Sequence, residues 1–167
     1  VEALETSSGR PIVVRKSIFE ENMIGVEING TSFSEIYQNE FLVGDHPFPE
    51  FADEAEDTKN HLGIHVIETT HYAVEENDVV KTSGATYEGN GVLVYNSKGA
   101  ENAVYKNQFT NLQTGAESDW INRNVNYTGG VPAGLAGLQF LCNTNSGNKV
   151  DFRISRNELF DQTDYFY

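Results

Sequence analysis

The stretch from residue 74 to residue 79 reads Val74-Glu75-Glu76-Asn77-Asp78-Val79, with an apolar residue at each end and Asn in the fourth place. The same unit recurs as Ile36-Tyr37-Gln38-Asn39-Glu40-Phe41 and as Val104-Tyr105-Lys106-Asn107-Gln108-Phe109. Two weaker copies lie outside these, namely Val14-Arg15-Lys16-Ser17-Ile18-Phe19 and Phe140-Leu141-Cys142-Asn143-Thr144-Asn145. A unit that recurs along most of a chain is typical of repeat architectures.

A second unit, Gly followed by an apolar, a variable and an apolar residue, alternates with the first. Its copies are Gly25-Val26-Glu27-Ile28, Gly63-Ile64-His65-Val66 and Gly91-Val92-Leu93-Val94, followed by the degraded Gly115-Ala116-Glu117-Ser118 and Asp151-Phe152-Arg153-Ile154. Three insertions lengthen the spacing between units, at about Gly44 to Asn60, Lys81 to Gly89 and Asn122 to Ala136. Without an insertion the period is 22 residues, as from Ser17 to Asn39.

This period, with short alternating segments, predicts an all-β solenoid of about five coils. Alternation points Val26 and Ile28 inward, and equivalent residues of successive coils are expected to stack about 4.8 Å apart. We expect the repeated Asn residues to form a hydrogen-bonded ladder at one bend. The repeated Gly residues are expected to adopt positive φ at another bend, and helical content should be low. A β-sandwich is the alternative, but it does not explain two motifs at fixed mutual offsets.

The composition bounds both the size and the partners of the protein. Its 167 residues are enough for one domain, spanning 1–167, and we expect this domain to be a piece of a larger protein. The formal net charge of −14 disfavours nucleic acid as a partner. No segment is apolar enough to predict a membrane span. The single cysteine, Cys142, has no zinc-ligand spacing around it, and we expect it to be buried in the core.

Residues 10 to 157 resemble the right-handed parallel β-helix proteins of the pectate-lyase-like class, in particular the β-helix regions of large secreted or surface-anchored bacterial proteins. The runs that carry the resemblance are Gly63-Ile64-His65-Val66, Tyr105-Lys106-Asn107-Gln108-Phe109-Thr110-Asn111-Leu112 and Gly137-Leu138-Gln139-Phe140-Leu141-Cys142-Asn143. The resemblance implies a right-handed solenoid and a secreted or cell-surface location, often among carbohydrates. The implied activities range from polysaccharide lyases and hydrolases to adhesins without catalysis.

The first insertion is rich in acidic residues, which makes it a candidate calcium site. Calcium prefers six to eight oxygen ligands, and Asp53, Glu54, Glu56 and Asp57 would supply carboxylates. The run lacks the alternating Asp pattern and the central Gly of an EF-hand loop. A solvated acidic loop with no bound ion, and hence no cofactor, is the alternative.

The first two insertions fall at the same turn of successive coils, so we expect these loops to lie side by side and to form one wall of a groove. His61 and Tyr87 are the candidate residues there for stacking on a sugar or hydrogen-bonding to it. The alternative is that the loops bind nothing. Alternation on one strand would point His61 and His65 the same way, but His61 precedes the Gly bend and His71 lies after the next turn. Convergence of the three on one zinc ion is therefore disfavoured.

The outward positions of the Gly unit are expected to stack in the row Glu27, His65, Leu93, Glu117 and Arg153. Glu27 and His65 are therefore candidate ligand-binding neighbours. Glu75, Glu76 and Asp78 lie on one coil and could form a carboxylate pair with Glu40 on the neighbouring coil. A glycoside hydrolase needs two such carboxylates a few ångströms apart. Chance proximity is the alternative in so acidic a chain.

Two functions therefore remain open. The preferred hypothesis is an extracellular scaffold or adhesin-like domain that contacts a polysaccharide or another surface glycan and joins flanking domains of the parent chain. The competing hypothesis is a fragment of a polysaccharide lyase or glycoside hydrolase. An enzyme is expected to show a groove with clustered ionisable residues and perturbed pKa values, whereas a scaffold is not.

Overall fold

The computed structural model of the protein describes residues 2–4, 11–45, 61–97, 101–120, 122 and 137–155. Within these residues the chain forms strands joined by tight bends, and it forms no helix, as the sequence predicts. The strands are β1 (Glu2–Leu4), β2 (Val13–Arg15), β3 (Ile18–Phe19), β4 (Ile24–Asn29), β5 (Glu35–Tyr37), β6 (Glu40–Val43), β7 (His61–Ile67), β8 (Ala73–Glu75), β9 (Asp78–Lys81), β10 (Gly89–Tyr95), β11 (Glu101–Tyr105), β12 (Gln108–Thr110), β13 (Thr114–Asp119), β14 (Gly137–Leu141), β15 (Thr144–Ser146) and β16 (Val150–Ser155).

The strands form three parallel sheets that wrap around one axis. The first sheet has the order β1-β4-β7-β10-β13-β16, the second β14-β11-β8-β5-β2 and the third β15-β12-β9-β6-β3. The chain therefore passes from the second sheet to the third and then to the first before it begins the next coil. This is the right-handed parallel β-helix of about five coils that the repeat predicts.

The core consists of columns of equivalent side chains in register. Val26, Ile64 and Val92 are paired neighbours in the first sheet, and each is at most 1% exposed. In the third sheet Phe19 stacks on Phe41 with ring centroids 4.8 Å apart and planes 9° from parallel. The predicted inward stacking is thus confirmed, and burial of these columns is the main source of stability.

The repeated glycines serve a different purpose from the one predicted. Gly25, Gly63, Gly91 and Gly115 are not among the residues with positive φ, so that prediction was wrong. A Cβ atom on Gly63 would lie 2.7 Å from Val79 Cγ1 and 2.9 Å from the Gly91 carbonyl oxygen. Gly is needed because the first sheet passes very close to the side chains of the third sheet and to the next coil.

The second corner, which joins the second sheet to the third, contains the predicted asparagine ladder. Asn77 Nδ2 donates to the Ile36 carbonyl at 2.9 Å and to Asn107 Oδ1 at 2.9 Å, while Asn77 Oδ1 accepts from the backbone and side-chain nitrogens of Asn39, both at 3.0 Å. Asn107 donates in the same way to Val74 and Asn143. Each side-chain amide therefore donates one hydrogen bond to a backbone carbonyl at the bend of the preceding coil and another to the Asn of the following coil.

The residue before each ladder position has positive φ and points outward. These residues are Lys16, Gln38, Glu76, Lys106 and Cys142, with φ between 52° and 55°. Cys142 is exposed, so the prediction that it packs in the core was wrong. Its place immediately before Asn143 is an outward, left-handed position that polar residues hold on the other coils.

The last described coil differs from the inner ones. Phe152 pairs with Ala116 and Ile154 with Ser118, so both hold inward positions, yet they are 44% and 77% exposed. No described strand pairs with the far edge of β16. The core column is therefore open at this end of the described residues.

Candidate functional site

The first two insertions share the turn from the third sheet to the first, as predicted, since they follow β6 and β9. The second loop packs on the start of the first one. Thr82 N donates to the Val43 carbonyl at 2.9 Å, and Tyr87 N donates to the Gly44 carbonyl at 3.2 Å. The candidate calcium ligands Asp53, Glu54, Glu56 and Asp57 lie outside the described residues, so the calcium hypothesis stays a prediction.

His61 and Tyr87 come together at this turn. Their ring centroids lie 5.2 Å apart with planes tilted by 43°. His61 is completely buried, whereas Tyr87 is half-buried. His61 therefore packs beneath the loop, and of the two rings only Tyr87 reaches the surface that a sugar would contact.

His61 and His65 do not point the same way. Gly63 and Ile64 are both buried, which breaks the alternation of β7 between the two histidines. The strand bends at the glycine, where it passes against Val79. As a result His61 faces inward and His65 faces outward.

His65 pairs with Glu27 on the outer face of the first sheet, in the row that the sequence predicts. His65 Nδ1 lies 3.0 Å from Glu27 Oε2, and both side chains are about one-fifth exposed, at 18% and 22%. Burial lowers the pKa of His65 below its ordinary value of 6.5, and the Glu27 hydrogen bond opposes this shift without cancelling it. The imidazole is thus favoured in its neutral form.

The same row continues with a second pair. Arg153 Nη1 lies 3.7 Å from Glu117 Oε2, and Ser155 Oγ donates to Glu117 Oε1 at 2.7 Å. Leu93 separates this cluster from His65. Each carboxylate of the row is therefore held by a partner on the neighbouring coil.

Glu76 lies apart from the other candidates, exposed at the second corner. Gln38 Nε2 donates to its Oε2 at 3.0 Å, and Lys106 Nζ lies 3.9 Å from its Oε1. Of the four acids expected to converge, Glu40 and Asp78 are register partners in the third sheet, while Glu75 lies in the second sheet beside Tyr37. The described residues contain no cluster of three or more His, Cys, Asp or Glu side chains suited to a metal ion.

The first corner, which joins the first sheet to the second, carries aromatic residues that the sequence did not predict to lie together. Phe33 and His71 stack with ring centroids 4.8 Å apart and planes 20° from parallel. Tyr95 and Trp120 stack at 6.0 Å and 29°. A signal was present, since Phe33 and His71 each lie three residues before the first apolar residue of the Asn unit.

A buried polar column lies beneath these aromatic residues and was also missed. It consists of Thr31, Thr69, Ser97 and Asn122, which are between 0% and 9% exposed. Its contacts vary from coil to coil: Thr69 Oγ1 donates to the Ile67 carbonyl at 2.8 Å, whereas Ser97 Oγ donates to Asn122 Oδ1 at 2.8 Å. Because no single residue type is kept along the column, which runs Thr, Thr, Ser and Asn, no motif reveals it.

No protein-family model matches the chain, and a search of curated proteins finds no similar sequence. Within the part of the chain that the structure describes, no helix is long and apolar enough to cross a membrane.

Proposed function

We propose that the chain is a non-catalytic scaffold domain, adhesin-like in role, of a secreted or surface-anchored bacterial protein of the pectate-lyase-like class. In this proposal its outer surface contacts glycans, and its ends join flanking domains of the parent chain. The observation that carries the proposal is the pairing of outward ionisable side chains between neighbouring coils.

This pairing occurs on more than one face. Glu27 is paired with His65, Glu117 with Arg153 and Glu76 with Lys106. Hydrolysis of a glycosidic bond by two carboxylates requires both to face one bond, with one kept protonated as the acid. Acids that are held by an imidazole, a cation or an amide of the neighbouring coil support a structural role instead.

The polar ladder supports the same function. Asn39, Asn77 and Asn107 are at most 3% exposed and are linked amide to amide. A stack linked in this way forms a stiff rod, and solenoids of this kind use their long surfaces for binding. A rigid surface also loses little entropy when an extended polymer binds to it.

The second candidate function is a glycoside hydrolase or polysaccharide lyase fragment, and one observation favours it. Glu40 and Asp78 are exposed register partners on adjacent strands, so their carboxylates project from the same face of the third sheet. Two carboxylates in such positions match the basic requirement of glycoside hydrolysis.

One experiment separates the two functions. The purified chain is incubated with a panel of uncharged and acidic polysaccharides, and binding is measured by affinity electrophoresis while released reducing ends and unsaturated products are assayed. Binding without product supports the scaffold. Product release that is lost in Glu40→Gln or Asp78→Asn supports the enzyme, and absence of binding to every polysaccharide contradicts the glycan-contacting role.

A further inference from the structure

Aromatic side chains occupy left-handed positions only at the first corner, among the described residues. Twelve described residues other than Gly have positive φ. Three of these carry aromatic rings, Phe33, His71 and Trp120, and all three lie at the first corner. A bulky residue is strained in this conformation, which Asn or Gly adopts readily. Because the bends themselves need only a left-handed residue, the rings are not explained by the fold.

The Phe33 and His71 rings form an exposed apolar surface. Phe33 is 60% exposed, and His71 is also exposed. Stacking covers only the face that each ring turns to the other, so the opposite faces and the edges account for this exposure. The C–H faces of a pyranose are apolar and slightly positive, which suits them to packing on the electron-rich face of an aromatic ring.

Hydrogen-bonding groups of the same corner lie on the two inner coils of the four that carry the aromatic stacks. Asn96 Nδ2 donates to Glu68 Oε1 at 3.2 Å, so the amide orients the carboxylate. Glu68 Oε2 and Asn96 Oδ1 are then acceptors for the hydroxyl groups of a ligand. Aromatic faces beside oriented acceptors match the chemistry of a sugar, which is apolar on its ring faces and rich in hydroxyls at its rim.

The surface runs along the axis of the solenoid. Phe33, His71, Tyr95 and Trp120 lie on four successive coils, which span about 14 Å at the spacing of parallel strands. This length suits several sugar units in a row. The negative charge of the surface favours uncharged sugars, because Glu35 and Glu68 are exposed at the corner and the chain carries a net charge of −14. Acidic glycans are repelled by such a surface.

We propose that the aromatic corner, defined as Phe33, His71, Glu68, Asn96, Tyr95 and Trp120, binds an uncharged oligosaccharide chain along the solenoid axis. The proposal rests on the glycan-contacting function proposed above and assigns it to one surface. It does not involve the loops that hold Tyr87 or the outward pair of Glu27 and His65.

The test compares two double variants by isothermal titration calorimetry with uncharged hexasaccharides of glucose, mannose and xylose, and with oligogalacturonate. The corner variant is Phe33→Asn with His71→Asn, since Asn keeps the left-handed bend. The matched control is Gln38→Asn with Glu76→Asn, at left-handed positions of the second corner on the same two coils. Melting temperatures are measured for both.

We expect the parent to bind at least one uncharged hexasaccharide and the corner variant to bind it at least about tenfold more weakly. The melting temperature of the corner variant should equal that of the parent. The control variant should bind like the parent. Unchanged binding by a folded corner variant overturns the assignment and leaves the proposed function standing. Binding of oligogalacturonate alone also overturns it, whereas no binding to any glycan by the parent contradicts the proposed function itself.

Discussion

The first and second corners make the same kind of bend with different side chains. At the second corner a column of identical Asn residues is buried, and the left-handed residues outside it are polar or a cysteine. At the first corner the buried column is mixed, from Thr31 to Asn122, and aromatic rings lie outside it. The second corner therefore links coil to coil through one repeated contact, whereas the first corner links coils through contacts that differ along the axis, such as Ser97 to Asn122, and varies its surface.

This difference indicates where the fold is fixed and where it is free to change. Asn77 uses its side chain in four hydrogen bonds to two neighbouring coils. Thr69, on the same coil, has one hydroxyl directed at the Ile67 carbonyl, with a longer contact to Ile28. Hydrogen bonding at the first corner is not uniform, since the Asn122 side chain, where the third insertion begins between β13 and β14, takes part in five hydrogen bonds.

The largest effect that tests this difference is expected from Asn77→Ala. The substitution removes four hydrogen bonds and leaves buried backbone groups of Asn39 and Ile36 without their side-chain partner. We expect the free energy of unfolding to fall by about 4 kcal/mol, measured by urea denaturation. Asn143→Ala at the half-buried end of the ladder serves as the control and should cost less than half of this. Equal losses would mean that the ladder does not depend on burial.

Thr69→Val is expected to have a smaller effect. Val keeps the shape of Thr and removes only the hydroxyl that donates to Ile67. We expect a loss of about 1 kcal/mol in the free energy of unfolding, by the same denaturation. A loss as large as that of Asn77→Ala would contradict the distinction between the corners.

The sequence predicts the second corner well and the first corner poorly, for a physical reason. A ladder works only if the same residue recurs, so Asn39, Asn77, Asn107 and Asn143 are visible as a motif. The first-corner column makes hydrogen bonds that differ between coils, and no single residue type is kept through Thr31, Thr69, Ser97 and Asn122. The inward apolar columns and the coil number were likewise predictable from alternation and period.

The candidate site was predictable only in part. The row of Glu27 and His65 followed from alternation, but the burial of His61 depends on a strand bend caused by close packing at Gly63, which sequence spacing does not show. Cys142 was misjudged because free cysteines are usually buried, although its phase marks an outward position. The stacking of Phe33 on His71 depends on the phase between coils and not on any local motif.

The pair of His65 and Glu27 lies outside both corners, on the outer face of the first sheet, and provides a reference for comparing the stability of the two corners. Burial lowers the pKa of His65, so between the lowered value and 6.5 the unfolded chain binds more protons than the folded one. The stabilising contribution is therefore present above about pH 6.5 and is lost as the pH falls through the folded-state value. We expect His65→Gln to lose less stability than the parent over this interval in denaturation at several pH values. Identical pH profiles would exclude this role for His65.

The smallest effect is expected from Phe33→Asn. Relief of backbone strain at a left-handed position, about 1 kcal/mol, is offset by loss of the stack with His71, also about 1 kcal/mol. The free energy of unfolding should change by less than about 0.5 kcal/mol, which differential scanning calorimetry can check. A large loss of stability would show that the aromatic corner supports the fold and is not free to serve as a surface.

The central claim is that the second corner couples neighbouring coils through the same side-chain contact at every step, whereas at the first corner such contacts differ between coils and none joins Thr69 to Ser97. A pair of double-mutant cycles tests it directly, one with Asn77→Ala and Asn107→Ala, the other with Thr69→Val and Ser97→Ala. The side-chain amide of Asn77 donates directly to Asn107 at 2.9 Å, so we predict a coupling energy of about 1–2 kcal/mol for the first cycle. The second should be additive within about 0.5 kcal/mol. Additivity in the asparagine cycle, or equal coupling in both, would contradict the account.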